Sequence, residues 1–396
     1  ILFCLMAFVI GLSAGATVLV GQAWGAQNVE KVRCVVGSTL FMTLIGGTII
    51  AALGVIFAKQ ILLLLGTDPN VMHLSLPYVQ WMLAGSPLLF VYIIYTSILR
   101  GVGDSVTPLI ALSLTSAMGL VITPVLIAGY FGFPKLGIIA PAIATILGYL
   151  AVLLFLIVFL NKGNHPLKPD PALLRQIRHQ PKLSKIILRL GIPTGVQMVT
   201  TSVAGLVIVG LVNRYGSDAT AAYGAVNQVL NYIQFPALSI AIAASIFAAQ
   251  AIGAGKSDLL NKVTRTALSM NIVFTGTLVL LGYLGSKYLM ALFITDPKVV
   301  ELGQQLLFIV LWSILFFGAS AIFASIMRAS GTVTVPMIIN IAAIILIEVP
   351  CAYLFSQWWG LQGIWYAYAL AFFSLCVMQG LYYQFVWKKK TITALI

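Results

Sequence analysis

The run Thr67-Asp68-Pro69 through Arg100, Gly103 and Pro108 recurs without a gap as Thr295-Asp296-Pro297 through Arg328, Gly331 and Pro336, 228 residues further on. Laid over each other, residues 67–108 and 295–336 agree at 12 of 42 positions, and the matches include turn residues as well as the Leu and Ile that any apolar pair shares. Upstream, Gln22-Ala23, Gly25 and Ala26 return as Gln250-Ala251, Gly253 and Ala254 at the same spacing. Solenoid repeats are roughly 20–50 residues long. A period of 228 therefore marks two copies of one multi-helix unit.

Each unit is built for lipid. Only 8% of the residues are charged and 61% are apolar, far from the balance of a water-soluble domain. The net charge of +13 would suit nucleic acid if the basic residues shared a folded polar face, but they are confined to short gaps between apolar runs, so no nucleic-acid partner is expected. Cys4, Cys34, Cys351 and Cys376 form no C-x-x-C pair and three lie in apolar runs. There cysteine acts as a small hydrophobe, and neither a disulfide framework nor a metal site follows.

Apolar runs of about 20 residues, the length a helix needs to cross hydrocarbon, fall at 1–22, 37–66, 76–99, 107–131, 137–161, 187–213, 220–250, 266–293, 300–327, 335–355 and 362–387. They predict an all-α integral membrane protein with 11 spans in two parallel repeats: an N-terminal lobe over 1–161, a basic inter-lobe loop over 162–186 and a C-terminal lobe over 187–396. Trp358, Trp359, Trp365, Trp387, Tyr382 and Tyr383 fall near span ends, as interfacial aromatics do. Placing the loop 162–186 in the cytoplasm puts 17 Lys and Arg on that side against five (Lys59, Lys135, Arg214, Lys287 and Lys298) on the other. The positive-inside rule then sets the C-terminus in the cytoplasm of a plasma (inner) membrane protein. The second copy opens with an extra span near residue 187, so the spacing predicts a further helix about 40 residues before residue 1 and a protein of six plus six spans. Matched spans lie an even number apart, so the copies point the same way.

The loops that carry the repeat are similar to those of the multidrug and toxin extrusion (MATE) family, within the larger group that includes polysaccharide and lipid-linked-precursor flippases. The resemblance runs through the whole chain and rests on Gln22-Ala-Trp-Gly25-Ala26, on Leu99-Arg100-Gly101-x-Gly103-Asp104 followed by Pro108, on Gly191-Ile-Pro193, and on Gly360-Leu-Gln-Gly363-Ile-Trp365. It implies two six-helix lobes, a central cavity open to one side at a time, and export of organic cations against inward H⁺ or Na⁺, with no organic cofactor and function as a monomer. The other six-plus-six class, the major facilitator transporters, carries a loop resembling G-x-x-x-D-R-x-G-R-R, whereas here that loop reads Gly25-Ala-Gln-Asn-Val-Glu-Lys-Val-Arg33. The family's usual carboxylates do not transfer. Where members have a Glu in the seventh helix this chain has Thr200, Thr201 and Ser202, and where they have an Asp in the tenth it has Phe316, Phe317 and Gly318.

Of the nine acidic residues, eight fall in gaps or at span ends, and Glu348 alone lies inside an apolar run, Ile344-Ile-Leu-Ile-Glu348-Val-Pro350. A charge at the centre of a span costs about 2.5–3.5 kcal/mol on insertion scales, so Glu348 needs a pairing partner, water or a proton. It reads either as an ion or substrate-cation site or as a hydrogen-bonded structural Glu beside a proline kink. Tyr223, Asn227, Asn231 and Gln234 recur at steps of four, four and three, on one helical face. That stripe either lines a wet cavity, with Gln197, Thr200 and Thr201 of the preceding helix as neighbours, or bonds to adjacent helices.

Arg100 and Arg328 end helices at the basic face, where a cation complements the helix dipole and contacts membrane-lipid headgroups; a role in closing an inner gate is the sharper reading, with Gly103, Pro108, Gly331 and Pro336 framing the same turns. Gly101 is suited to a left-handed position after the first helix. His73, His165 and His179 lie in gaps and are expected to be solvated. Gly253-Ala-Gly255-Lys256-Ser257 imitates the end of a phosphate-binding loop, but Gln250 stands where its first glycine belongs and no strand precedes it.

The resulting expectation is a secondary active antiporter of small organic, amphipathic cations. A flippase for a lipid-linked sugar calls for several basic residues deep inside the spans, whereas Lys59, Arg189 and Lys287 stand toward span ends. An intramembrane enzyme needs a catalytic partner for Glu348, and none is present. A channel is not excluded by the sequence, although the paired parallel lobes argue for alternating access; flux that saturates and runs uphill separates the two.

Overall fold

A computed structural model describes residues 2–396 apart from 65 and 164, with side chains from residue 5 onward. Residues 1 and 65, at the ends of the first two expected spans, and the side chain of Cys4 lie outside the described residues. The chain runs as a series of helices: α1 (Leu2–Gly25), α2 (Val29–Leu64), α3 (Pro69–Gly101), α4 (Val106–Ala128), α5 (Ala140–Lys162), the short α6 (Pro171–Leu174), α7 (Pro181–Val212) and α8 (Ser217–Gly253). There follow α9 (Leu259–Met270), α10 (Gly276–Leu284), α11 (Ser286–Ala291), α12 (Pro297–Val310), α13 (Ile314–Ala329), α14 (Thr334–Ala342), α15 (Val349–Trp359) and α16 (Leu361–Phe385). Grouped where helices run on, they give 11 segments long and apolar enough to cross a membrane among the described residues. Several extend past the hydrocarbon. At about 1.5 Å per residue α2 is about 54 Å long, so its first turns carry Lys31 and Arg33 beyond a core of about 30 Å.

The duplication is written in the hydrogen bonds of the turns. After α3 the Gly103 N–H donates to Arg100 O at 2.9 Å and the Asp104 N–H to Leu99 O at 3.0 Å; after α13 the Gly331 N–H donates to Arg328 O at 2.9 Å and the Thr332 N–H to Met327 O at 3.1 Å. Both are Schellman closures, which place one residue in the left-handed region. Gly103 (φ 94°) and Gly331 (φ 86°) fill it. Gly101 does not: it completes α3, where the space for a Cβ is narrowed by Val20 at 3.0 Å. The same closure recurs after α1, with Gln27 at φ 56°, and after α8, with Gly255 at φ 69°, so the glycines of the imitation phosphate loop serve to end a helix. Helix starts repeat as well. Asp68 Oδ1 accepts from the Asn70 N–H at 2.7 Å and Asp296 Oδ1 from the Lys298 N–H at 2.9 Å, each followed by proline in the first turn, the arrangement that satisfies orphan amides at a helix start.

The chain divides into two compact units, 1–192 and 193–396. The boundary falls inside α7, later than the end of the loop at 186. A Cβ on Gly191 would stand 2.6 Å from Gly11 O, and one on Gly15 2.6 Å from Ile187 O. The first turns of α7 thus meet α1 backbone to backbone and belong with the first unit, which is why Gly191-Ile-Pro193 begins with glycine. In the second unit α8 packs along α13 through the small residues Ala237, Ala241, Ala244 and Ala248, all buried. Trp365, Trp387 and Tyr383 are buried in this unit's core clusters rather than facing lipid, Trp387 stacked on Tyr383 and Trp365 tilted against Tyr368; Trp358 and Trp359 are exposed.

The basic segment 162–186 lies within the first unit and packs on it. Leu167 and Leu173 are buried, Leu167 O accepts from the Tyr95 hydroxyl, and Asp170 Oδ2 pairs with Arg33 at 3.2 Å. His165 is half-buried rather than solvated: Nδ1 accepts from the Leu167 N–H at 3.1 Å and Nε2 lies 3.6 Å from Asp104 Oδ2. Burial pushes its imidazole below the ordinary value, against the opposing pull of Asp104. A folded-state value below the unfolded one means that the fold favours the neutral ring, so this contribution is complete above about pH 6.5 and is lost as pH falls below it. Hydrogen exchange across residues 165–176, corrected for intrinsic rates, is expected to quicken between pH 7 and pH 5 in the parent and to lose that dependence in His165→Gln; protection that rises on acidification contradicts the assignment.

Candidate functional site

Pro350 lacks an N–H, so the helix around it cannot close every bond in the ordinary α pattern. The chain answers with a π turn over Ala343–Glu348, between α14 and α15. The corresponding span of the first copy, α4, also holds a proline, Pro124, but has no such turn. A second π turn, Asn271–Thr275, joins α9 to α10 in the same unit. Such turns widen one helical loop and are common at functional sites.

Glu348 ends the first of these turns and is half-buried, with no hydrogen bond or ion pair among the described residues. The turn packs on α16, within electrostatic reach of Tyr368. The Tyr368 and Tyr223 hydroxyls meet at 3.0 Å, and the ring of Trp365 lies 5.3 Å from that of Tyr223 and 5.6 Å from that of Tyr368. Trp365 is wholly buried and its Nε1–H finds no acceptor among the described residues. Two linked hydroxyls and one unused donor therefore share an aromatic core inside the second unit, and Glu348 stands on the turn that packs against α16.

The polar stripe of α8 is divided by burial. Tyr223 belongs to that aromatic core, Asn227 and Gln234 are half-buried, and Asn231 is exposed. On α7, Thr200 donates to Val196 O and Thr201 to Gln197 O, each at 3.0 Å, so both hydroxyl protons are engaged by their own helix and only acceptor capacity remains. Gln197 is half-buried beside them, and no hydrogen bond joins these three residues to the α8 stripe among the described residues. Arg100 donates to Ser97 Oγ at 2.8 Å, which also accepts from Ser13 at 3.2 Å. Arg328 is half-buried without an ion-pair partner among the described residues. Pro108 and Pro336 are buried, and Pro336 O accepts from Gln379 Nε2 at 3.0 Å.

One polar centre escaped the sequence reading. Asn271, 1% exposed, opens the second π turn, donates from Nδ2 to Leu315 O and accepts at Oδ1 from Thr275, both at 3.0 Å. Gly318 makes room for it, since a Cβ there would overlap the Asn271 amide and stand 3.0 Å from Ala237 Cβ. The stretch in which the family resemblance calls for an acid is thus occupied by a neutral clamp between two helices. Its signal was available as a polar pair four residues apart, Asn271 and Thr275, inside an apolar run.

The family model MatE matches residues 1–125 and 193–354. The probable multidrug resistance protein YoeA of Bacillus subtilis is 45% identical over 397 residues, covering all of this chain and 86% of that protein. The FAD transporter of Shewanella oneidensis is 26% identical over 90% of this chain and 78% of its own length. Among solved structures, the Vibrio cholerae MATE transporter VcmN in the bent form superposes with a TM-score of 0.87 at 20% identity, over 96% of this chain and 85% of that one.

Asn271→Leu removes the bond to Leu315 O and leaves Thr275 without its acceptor. Interhelical polar bonds in membranes are worth about 1–2 kcal/mol at most, so the unfolding midpoint of the purified protein is expected to fall by a few degrees. An unchanged midpoint contradicts the clamp.

Proposed function

The chain belongs to the MatE family of multi-pass membrane transporters, and from that premise we propose that it exports amphipathic organic cations in exchange for protons, with Glu348 as the coupling carboxylate. The observation that carries this reading is the position of Glu348: an acid within the span Thr334–Trp359, without an ion-pair partner among the described residues, at the end of a π turn absent from the matching span of the first copy. Counting 12 residues from Pro336 at about 1.5 Å each puts it roughly 18 Å into a core of about 30 Å, near the midplane where transporter sites lie.

A proton suits this carboxyl group better than Na⁺. Hard cations require several oxygen ligands, whereas Glu348 has the Tyr368 hydroxyl of α16 within electrostatic reach and no hydrogen-bond partner among the described residues. The unloaded carboxylate, costly in hydrocarbon, is discharged either by a proton or by the positive charge of a substrate, and that competition is the coupling. The exposed face of α8 at Asn231, with Asn227 and Gln234 beside it, is assigned to the substrate pathway, because amides facing acyl chains would lose their hydrogen bonds. An anionic substrate such as the FAD carried by the Shewanella relative meets a carboxylate here and no cation among the described residues. In the orientation set by the positive-inside rule, the basic ends of the spans and the C-terminus lie in the cytoplasm.

The test is uptake of a fluorescent organic cation into inside-out vesicles under separately imposed pH and Na⁺ gradients. The parent is expected to accumulate dye with an inside-acid gradient and not with a Na⁺ gradient; Glu348→Gln is expected to lose at least tenfold in rate with normal protein level, and Glu348→Asp to keep part of it. Uphill transport by Glu348→Gln at the parent rate excludes Glu348 from coupling.

A further inference from the structure

Around α9 the surface of the second unit is asymmetric. On one flank, against α8, a groove of about 600 Å³ is lined by Ile240, Ala244, Phe247 and Val263 and carries a single cation, Lys262. On the other flank, between α9, α13 and α16, a pocket of about 420 Å³ holds two cations, Arg265 and Lys388, together with the polar side chains of Asn261 and Gln384. None of α9, α13, α16 and the segment after α16 contains Asp or Glu. Arg265 and Lys388 are both exposed and have no carboxylate partner among the described residues, and Lys388 reaches only Gln384 Oε1, at 3.3 Å.

The pocket changes character along its length. Next to the cations, its floor is the pair Thr264 Oγ1 and Tyr383 OH, 2.7 Å apart and buried. Tyr383 is braced by Trp387, stacked at 4.9 Å, and by Phe323 at 5.1 Å. Further from the cations the walls are Leu268, Ile272 and Phe323, with Ile272 64% exposed. Gly380 lines the groove beside the Phe323 ring, which a Cβ there would touch at 3.4 Å, so a larger side chain would extend into the channel. The chain's own C-terminal residues sit elsewhere: Ser257 donates to Ile392 O at 3.5 Å, and Leu395 lies against Gly331.

We infer that this pocket is a binding site for one anionic phospholipid, its phosphate between Arg265 and Lys388 and the upper part of one acyl chain along Leu268, Ile272 and Phe323. Two uncompensated cations above an apolar channel match a phosphodiester joined to a hydrocarbon chain; a soluble anion has no use for the channel and a zwitterionic lipid little for the cations. The site lies at the end of the spans that carries most of the Lys and Arg, where basic pockets between helices take lipid headgroups. A bound lipid here ties α9 to α13 and α16 below the Asn271 clamp, which adds a regulatory contact to the transporter without entering its proposed coupling site at Glu348.

The experiment uses the purified, delipidated full chain in detergent, titrated with dioleoyl phosphatidylglycerol and read by native mass spectrometry and by thermal shift. Phosphatidylglycerol is expected to bind and raise the unfolding midpoint, and dioleoyl phosphatidylcholine not to. A basic residue near an anionic surface contributes about a fivefold factor in affinity, so Arg265→Gln with Lys388→Gln is expected to weaken binding by about 25-fold. The charge-conserving pair Arg265→Lys with Lys388→Arg is expected to stay within about threefold of the parent. Gly380→Leu, which blocks the channel and leaves both cations, is expected to weaken phosphatidylglycerol by tenfold or more. Equal binding of the two lipids, or undiminished phosphatidylglycerol binding by both the double Gln and the Gly380→Leu variants, overturns the assignment. So does full displacement of the lipid by inorganic phosphate at millimolar concentration, which identifies a soluble-anion site instead.

Discussion

In hydrocarbon no water completes a hydrogen bond, so each backbone group must find its partner inside the protein. That constraint organises the whole chain. Helices run from an Asp cap and a proline to a left-handed closing residue, and the closures after α1, α3, α8 and α13 repeat the same pair of bonds at matched positions 228 residues apart. Ahead of Pro350 the helix widens into a π turn, and the buried amide of Asn271 takes a carbonyl from the next helix. Small residues allow helices to approach closely, at Gly15 and Gly191 in the first unit and along the alanines of α8 in the second.

Under that constraint the two copies have diverged in a directed way. The turns and caps are shared, but both π turns, Glu348 and the Asn271 clamp belong to the second unit. The first unit instead carries a docked basic loop, held by Tyr95, Arg33 and Asp104. Duplication supplied a scaffold in which one copy can keep packing while the other takes up ionisable chemistry. The proposed coupling reading rests on this asymmetry, because a carboxyl group that the scaffold does not require has to be held there by something other than folding.

Much of the fold was legible because hydrophobic length and turn residues act locally. The 11 spans, the Asp68 and Asp296 caps and the turns at Gly103 and Gly331 follow from residues within a few positions of each other. What local patterns could not reveal depends on contacts between distant segments. The boundary inside α7 is set by Gly11 and Gly15 on α1, about 180 residues earlier in the sequence; the burial of Trp365, Trp387 and Tyr383 goes with rings packed against them from other parts of the chain or the next turn. The stripe on α8 was right as a periodicity and incomplete as a surface, since Tyr223 turns into the core with Trp365 while Asn231 remains exposed. Gly101 misled because a glycine after an arginine suits a helix end, whereas the closure formed two residues later.

The central claim is that one carboxyl group exchanges a proton for a substrate cation. Its most direct measurement is proton release: purified transporter in weakly buffered detergent solution near pH 7.5, mixed with saturating organic cation, with the released protons counted by a pH indicator. The account predicts release from the parent, approaching one proton per bound cation as the pH is lowered, and none from Glu348→Gln although that variant remains folded. Equal release from both proteins, or cation binding by the parent with no proton released at any pH between 6 and 8, contradicts it.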